Sequence, residues 1–453
     1  MTARNPVSAQ ETVDRVRSAL EQGSPSRPGN RLAPAATTGS GQAFDFNTLP
    51  EYEIHKITKA AGAITGIQNP WYRLHDGRAA ETTSIAGRIV VNFSSYDYLG
   101  LNGHPAVDTA AKAAIDRFGT SVSASRLSAG ERQIHRDLEA ELARLHGTED
   151  SVAFVGGHAT NVTVIGHLLG PEDLVVTDAV IHNSVLEGAK LSGAKHILCA
   201  HGDIDAMERI LRLNRARHRR ALIVVEGLYS MDGDAPDLAA LIKLKRRYSA
   251  WLMVDEAHST GVLGVTGRGI AEEQGVDPTA IEIWMGTLSK SFASTGGYIA
   301  GSRPLIDLIK YETPGFVYSV GLAPPNTAAA LAAIEVMRNE PWRLEKLRQN
   351  GLLFLARARA HGLDTGLSVG AAIIPVIVGS SPQAVILTER LLARGYNVAP
   401  AIFPGVAENQ ARLRFFMTSR HTPEQIESVL ETVADELPKI QSGPSLVDII
   451  ARR

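Results

Sequence analysis

Three stretches of this chain bring together residue types that can do chemistry. In the first, the apolar run 251–254 leads directly into Asp255-Glu256-Ala257-His258, so an acid and an imidazole stand where a buried strand gives out. In the second, the run 281–285 leads into Gly286-Thr287-Leu288-Ser289-Lys290-Ser291. A lysine among hydroxyls and small residues, just past a buried strand, suits an amine in a partly dry pocket. There desolvation lowers its pKa far enough for it to act as nucleophile and base. Thr287 and Ser289 add hydroxyl donors that a phosphate can use. In the third, the run 152–155 ends in Gly156-Gly157-His158-Ala159-Thr160-Asn161 and a helical pattern follows. Glycines at a helix start leave bare N–H groups and the positive end of the helix dipole open to an anion.

Asp-Glu-Ala-His is also the wording of a helicase or ATPase acidic box, a reading that requires a Gly-x-x-x-x-Gly-Lys-Ser/Thr phosphate loop. The nearest string, Gly286 to Ser291, lacks the second glycine and falls after the box, which excludes that class. Taken singly, none of the three stretches is decisive. Taken in order, a phosphate cradle, an acid and a lysine about 35 residues later resemble the fold-type I pyridoxal-phosphate (PLP) enzymes. In those enzymes the acid pairs with the pyridinium nitrogen and the lysine forms the Schiff base.

The apolar pattern predicts the secondary structure around these residues. Short β-branched runs predict strands over 151–155, 173–177, 195–198, 221–225, 251–254, 281–285 and 297–300. Helix-length segments lie between them over 159–169, 184–192, 203–213 and 238–248. Such alternation predicts an α/β fold with a mostly parallel central sheet covered on both faces. Open sheets of that kind place ligands at the carboxyl ends of their strands, where all three stretches fall. Pro324-Pro325 opens a helical stretch that runs, with breaks, to His361. The last hundred or so residues mix strands (373–378, 412–417) with helices (383–394, 423–437) and predict a smaller α+β domain. The division expected is a flexible leader over 1–42 with a short helix near 11–21, an N-terminal segment over 43–95, a large domain over 96–340, a small one over 341–440, and a tail over 441–453.

Composition bounds the setting. A chain of 453 residues, 44% hydrophobic and 21% charged, is an ordinary globular chain of two or three domains. A net charge of −2 without a basic block recruits neither nucleic acid nor an anionic membrane. Its one cysteine, Cys199, excludes a disulfide framework and a cysteine zinc site, reads as core, and suits a reducing compartment. No metal site is expected. No apolar run reaches the ~18 residues of a membrane span, and the start has no apolar signal core, so the expected location is the cytoplasm.

Longer strings resemble one family. Asn92-Phe-Ser-Ser-Tyr-Asp-Tyr-Leu-Gly-Leu101, Val225-Glu-Gly-Leu-Tyr-Ser-Met-Asp-Gly-Asp234, Val254-Asp-Glu-Ala-His-Ser-Thr-Gly-Val-Leu-Gly264 and Arg412-Leu-Arg-Phe415 are similar to the α-oxoamine synthases, from about Phe44 to Leu437. The resemblance implies PLP as cofactor, held by Lys290 as a Schiff base. It implies that Asp255 keeps the pyridine nitrogen protonated, that His258 bonds the ring hydroxyl oxygen, and that His182 stacks on the ring. Gly157 and His158 match backbone phosphate contacts, with Thr287 and Ser289 beside them, and Ser230 matches a serine near the cofactor. Arg414 matches the guanidinium that grips the donor carboxylate, a bidentate task. Without that company, His182 and Ser230 read as helix caps and Arg414 as a surface ion-pair member. The reaction implied is condensation of a small amino acid (serine, alanine or glycine) with an acyl thioester on coenzyme A or an acyl carrier protein. Carbon dioxide and thiol leave, and Lys290 moves the Cα proton. Another fold-type I enzyme, such as an aminotransferase, would share Asp255 and Lys290, and a non-catalytic binding protein is the third class considered.

Some positions depart from the family pattern. Tyr96 is more similar to serine palmitoyltransferases than to biotin-pathway members, which carry asparagine there. Phe403 stands where the biotin branch has arginine. Tyr318-Ser319-Val320-Gly321 replaces a pair of threonines that reach a neighbouring subunit's phosphate, which implies a homodimer in which Ser319 still donates and Val320 does not. Ser125 replaces a bulkier threonine of glycine-specific members and leaves room for a donor side chain. The wording is also similar to synthases of secondary pathways.

Overall fold

A computed structural model describes residues 45–65 and 69–443. The leader expected over 1–42, with its short helix, and the part of the tail beyond 443 lie outside the described residues. After the helix Pro50–Thr65, three short strands, β1 (His75–Asp76), β2 (Thr82–Ile85) and β3 (Arg88–Asn92), pair antiparallel in sequence order. The segment after β3 is pinned by burial: Phe93, Tyr98, Leu99 and Leu101 are fully enclosed, and Asp97 Oδ1 accepts from Leu101 N–H at 2.8 Å.

All seven predicted strands form, within two residues of their expected ends: β4 (Asp150–Phe154), β5 (Leu174–Asp178), β6 (Lys195–Cys199), β7 (Ala221–Glu226), β8 (Trp251–Asp255), β9 (Ile283–Thr287) and β10 (Gly297–Gly301). They make one sheet in the order β4-β10-β9-β8-β7-β5-β6. Only β10 runs against the rest, antiparallel to both β4 and β9. Every residue of β5, β7, β9 and β10 is buried, as expected of strands covered on both faces. The faces separate with a period of two. Leu174, Val176, Ile223, Val225, Leu252 and Val254 join one core cluster, and Val175, Leu222, Val224, Met253, Ile283 and Met285 the other. Helix Gly157–Leu168 packs on the second face through Val164 and Ile165.

The helical stretch after Pro324 is two helices, Pro324–Asn339 and Trp342–Ala360, parted at Glu340-Pro341. Beyond it, β11 (Ile373–Gly379), β13 (Ala399–Ala401) and β14 (Ala411–Phe416) form an antiparallel sheet in the order β11-β14-β13, and β12 (Tyr396–Asn397) leaves it. β12 pairs parallel with β3, Tyr396 opposite Val91 and Asn397 opposite Asn92. The N-terminal segment is thereby stitched to the C-terminal part, a pairing across 305 residues that Asn397 Nδ2 reinforces by donating to Asn92 Oδ1 at 2.9 Å. Phe93 completes the joint by packing edge-on against Phe415, ring centroids 5.6 Å apart. Among the described residues no helix is long and apolar enough to cross a membrane.

Candidate active site

The strand ends assemble the site. β7, β8 and β9 close on Glu226, Asp255 and Thr287, and the alternation of strand side chains turns all three to the face where helix Gly157–Leu168 packs. Around them lies a cavity of about 130 Å³ whose lining includes Gly157, His182, Asp255, His258 and Lys290.

Lys290 Nζ lies 3.1 Å from His258 Nε2, and His258 Nδ1 lies 2.7 Å from the hydroxyl of Tyr98. Burial lowers the pKa of Lys290 to about 8, with Arg414 adding to the fall and Asp255 and Glu226 opposing it. Burial, then the cations Lys290 and Arg414, hold His258 well below the usual imidazole range, so it is neutral at pH 7. An ammonium can only donate, so while Lys290 is charged, His258 Nε2 accepts and Nδ1 carries the ring proton toward Tyr98.

Asp255 is fixed from two sides. Oδ2 accepts from Asn161 Nδ2 at 2.8 Å, and Oδ1 from the backbone N–H of Ala257 at 3.0 Å. The same Asn161 amide donates to Ser184 Oγ at 2.9 Å, and that hydroxyl lies 2.7 Å from His182 Nδ1. A polar chain therefore runs from the carboxylate through two buried side chains to the imidazole. His182 lines the cavity at an exposed position, and the desolvation its ring does undergo is the main cause that lowers its pKa. His182 is also the cap of helix Asn183–Ser192, accepting from Ser184 N–H. The capping role and the pocket role coexist.

The same lining offers donors to an anion. Gly156 caps helix Gly157–Leu168 without a side chain, so its first N–H groups have no side-chain cap. A Cβ at Gly157 would stand 3.1 Å from Thr287 Oγ1 and 3.2 Å from Thr287 Cβ, a space that glycine alone leaves clear. Thr287 Oγ1 lies 2.8 Å from Ser289 Oγ and donates to Gly296 O at 2.9 Å. The ring of His158 meets that of His182 edge-on at 6.3 Å. These residues fit PLP: an amine of lowered pKa, a buried carboxylate for a ring N–H, an imidazole wall, and a glycine helix start with two hydroxyls for a phosphate.

The C-terminal sheet supplies the remaining wall. Arg414, on β14, donates through Nη1 to Ser230 O at 2.9 Å and stacks over the Phe416 ring at 5.1 Å. Its Nε is buried and has no protein partner. Tyr96 stands edge-on to Phe416 at 4.8 Å, with Lys290 Nζ 5.8 Å from its ring centroid. Arg414, Ser230, Tyr96 and Lys290 thus converge from four distant parts of the chain. Ser125 and Ser319 stand apart from them in the protomer. Ser125 forms an isolated antiparallel bridge with Val320, and Ser319 Oγ donates to Val320 O at 3.3 Å. The sequence reasoning assigned no role to Tyr98, Asn161, Ser184 or Glu226. Three of them fall inside the strings quoted above, and all four are polar side chains that only the tertiary fold buries.

Fold and site together define a fold-type I PLP transferase. A sequence profile described as "Aminotransferase class I and II" matches residues 88–433. The chain is 41% identical to a putative 8-amino-7-oxononanoate synthase of Gloeobacter violaceus, over 80% of this chain and 92% of that protein. It is 36% identical to 8-amino-7-oxononanoate synthase 1 of Bacillus velezensis, over 80% and 91%. Among solved structures it is similar to the serine palmitoyltransferase of Sphingomonas wittichii, with a TM-score of 0.83 and 28% identity over 88% of this chain and all of the other. A serine palmitoyltransferase solved as its PLP internal aldimine gives a TM-score of 0.82 at 27% identity over 88% and 100%. The chain belongs to the aminotransferase class I and II family and, within it, to the α-oxoamine synthases, which are PLP-dependent acyltransferases.

Proposed function

We propose that this chain joins a small amino acid to an acyl thioester, carried on coenzyme A or an acyl carrier protein, and releases an α-amino ketone, carbon dioxide and a free thiol. The observation that carries the reading is Lys290, a half-buried amine lowered to about 8, held at 3.1 Å by a neutral His258 beside the Asp255 carboxylate. Near pH 8 such an amine serves both as covalent anchor and, once the incoming amino acid displaces it, as base. When bound, PLP supplies the sink for the electron pair left at the donor Cα. Lys290 takes the Cα proton. Cα then bonds to the acyl carbon, the carbon–sulfur bond breaks, and the thiolate leaves and takes up a proton. Next the bond from Cα to the carboxylate breaks, carbon dioxide departs, and Lys290 returns a proton to Cα.

The remaining roles follow from the family resemblance. With PLP bound, Asp255 would accept from the pyridine N–H, His182 would cover the ring, His258 would bond the ring hydroxyl oxygen, and Ser230 would stand near the cofactor. Gly157, His158, Thr287 and Ser289 hold the phosphate. Arg414, with its buried free Nε and its Nη1 anchored on Ser230, binds the donor carboxylate. The large domain over 96–340 holds the cofactor, and the small one over 341–440 brings Arg414 to it. Ser319 and Ser125 act across a homodimer interface. In support, they share a stretch with Tyr318, 86% exposed, and Val320, 48% exposed, a surface a second copy would cover. Serine or alanine is preferred to glycine, because Ser125 leaves room for a side chain and Tyr96 is the residue of serine-palmitoyltransferase-like members; one methyl of clearance gives about 10- to 200-fold. The enzyme works in the cytoplasm, where a buried Cys199, its thiol pushed up to about 11, stays reduced.

The test mixes holoenzyme, amino acid and an acyl-coenzyme A and follows carbon dioxide and free thiol. Both appear together if the reading holds; an aminotransferase yields neither. Comparing kcat/KM for serine, alanine and glycine tests the donor, and glycine best by tenfold or more refutes the preference. A sedimenting monomer with full activity refutes the shared site.

A further inference from the structure

Two carboxyl groups, not one, stand under this pocket. Glu226 closes β7, Asp255 closes β8, and the two are register partners in a parallel pair. Glu226 shares a strand face with Leu222 and Val224, and Asp255 shares one with Met253, all three in the same core cluster. Both carboxyls therefore point to the same side of the sheet, from strands about 4.8 Å apart. Glu226 is 2% exposed and Asp255 4%, so water does little to screen them. Two ionised carboxylates that close in a dry site disfavour each other strongly, and the better-solvated one keeps the charge.

Hydrogen bonding decides which. Each oxygen of Asp255 already accepts an N–H, from Asn161 Nδ2 and from Ala257. Glu226 Oε2 accepts from Ser230 N–H at 3.0 Å, but its Oε1 is buried with no partner. The charged and titratable groups facing Glu226 are Asp255 on β8, Lys290 past β9, His182 at the head of its helix, and Tyr229 on its own loop. Burial and then Asp255 push Glu226 up to about 8, against the pull of Ser230 N–H, Lys290 and the His182 backbone. Ser230 matters twice, because its carbonyl accepts from Arg414 Nη1 at 2.9 Å. A continuous path, Glu226 to Ser230 to Arg414, thus joins the cofactor pocket to the residue assigned to the donor carboxylate.

We propose that Glu226 is a positioning residue held as a neutral carboxylic acid in the working enzyme. Its Oε2 fixes the backbone of Ser230 and thereby Arg414, its Oε1–H is a donor turned into the cofactor pocket, and Asp255 is left as the only anion there. What Oε1–H meets rests on the PLP reading of the pocket, whereas the proton on Glu226 belongs to the protein with or without cofactor.

Infrared difference spectra of wild type against Glu226→Gln, on apoprotein and holoenzyme, read that proton directly. The expected result is a protonated-carboxyl carbonyl band at pH 7, absent from the variant and converted to a carboxylate band as pH rises through about 8. A carboxylate band at pH 7 overturns the proposal. Should Glu226→Gln not fold, the difference spectrum against Glu226→Leu gives the same decision, since that subtraction separates Glu226 from the buried Glu256, itself pushed up to about 7. In kinetics, Glu226→Leu raises the donor KM about tenfold, the loss of roughly one hydrogen bond to a charged network. Glu226→Gln, neutral and still able to accept from Ser230, recovers most of that loss. A glutamine variant as impaired as the leucine variant also overturns it. Failure to bind PLP with the protonated band intact would sink the pocket reading and leave the neutral Glu226 standing.

Discussion

Lys290 Nζ and His258 Nε2 lie 3.1 Å apart, and Tyr98 backs the same imidazole at 2.7 Å. The contact orients the free amine without charging the ring, because burial keeps His258 well below its usual range. In the proposed reaction, the cofactor's uptake of the amine would free that ring nitrogen for the ring hydroxyl. One imidazole thereby serves the site before and after loading.

Replacing Lys290 with alanine removes anchor and base together. Turnover should fall by at least about 10²–10⁴-fold, the range for loss of a general acid–base group, with the far-ultraviolet circular dichroism unchanged. Normal turnover, with borohydride trapping PLP on another lysine, would show the assignment to be wrong.

Asp255→Asn keeps the shape of the side chain and removes its charge. PLP should still bind, and the rate should drop by about 10²-fold or more, as when a charge-stabilising partner is lost. A full-rate asparagine variant is the adverse outcome. Its visible spectrum reports separately whether the cofactor is present.

Cofactor capture needs a neutral Lys290. With its pKa at about 8 the neutral fraction is one half at that pH and levels only above it. Stopped-flow mixing of apoprotein with PLP should therefore give a rate that climbs through about pH 8 and flattens. A climb centred two units higher would mean the amine is not desolvated.

Gly157→Ala puts a methyl 3.1 Å from Thr287 Oγ1, among the donors offered to an anion. PLP affinity should weaken by about tenfold, close to 1.4 kcal/mol, while melting of the apoprotein barely changes. Equal affinity in wild type and variant would place the phosphate elsewhere.

Buried histidines link stability to acid. His421 is held at about 3 by burial: its Nε2 donates to Asn92 O at 3.2 Å and its Nδ1 accepts from Thr418 N–H at 3.1 Å, so a second proton has nowhere to go. The unfolded chain takes that proton near 6.5 and the native state only near 3. Stability from this group is thus complete above pH 6.5 and is lost as pH falls toward 3, at about 1.4 kcal/mol per unit. His146, also at about 3, acts in the same direction. Glu226 at about 8 and Glu256 at about 7 act in the opposite one, since the native state holds protons that the unfolded chain has released. The sharp comparison is therefore wild type against His421→Asn in urea at pH 7 and 5. The variant should lose less stability on acidification, and parallel losses would contradict the buried neutral imidazole.

Much of this protein follows from local sequence. The seven sheet strands lie within two residues of where β-branched runs place them, because a strand buried on both faces must be apolar throughout and must stop where polarity returns. Asp255, Thr287, Lys290 and Gly157 are legible for the same reason: each sits at the abrupt end of such a run. Only tertiary structure decides which distant residues complete the site. Arg414 meets Ser230 across 184 positions, Tyr98 meets His258 across 160, and Asn161 meets Asp255 across 94. It also joins β12 to β3 and sets Ser125 beside Val320, apart from the Lys290 cavity in the protomer. The protonation of Glu226 is likewise invisible in the string Val225-Glu-Gly. Periodicity records which face a residue turns, whereas charge state depends on burial and on neighbours brought from other strands, and those are fixed only when the sheet assembles.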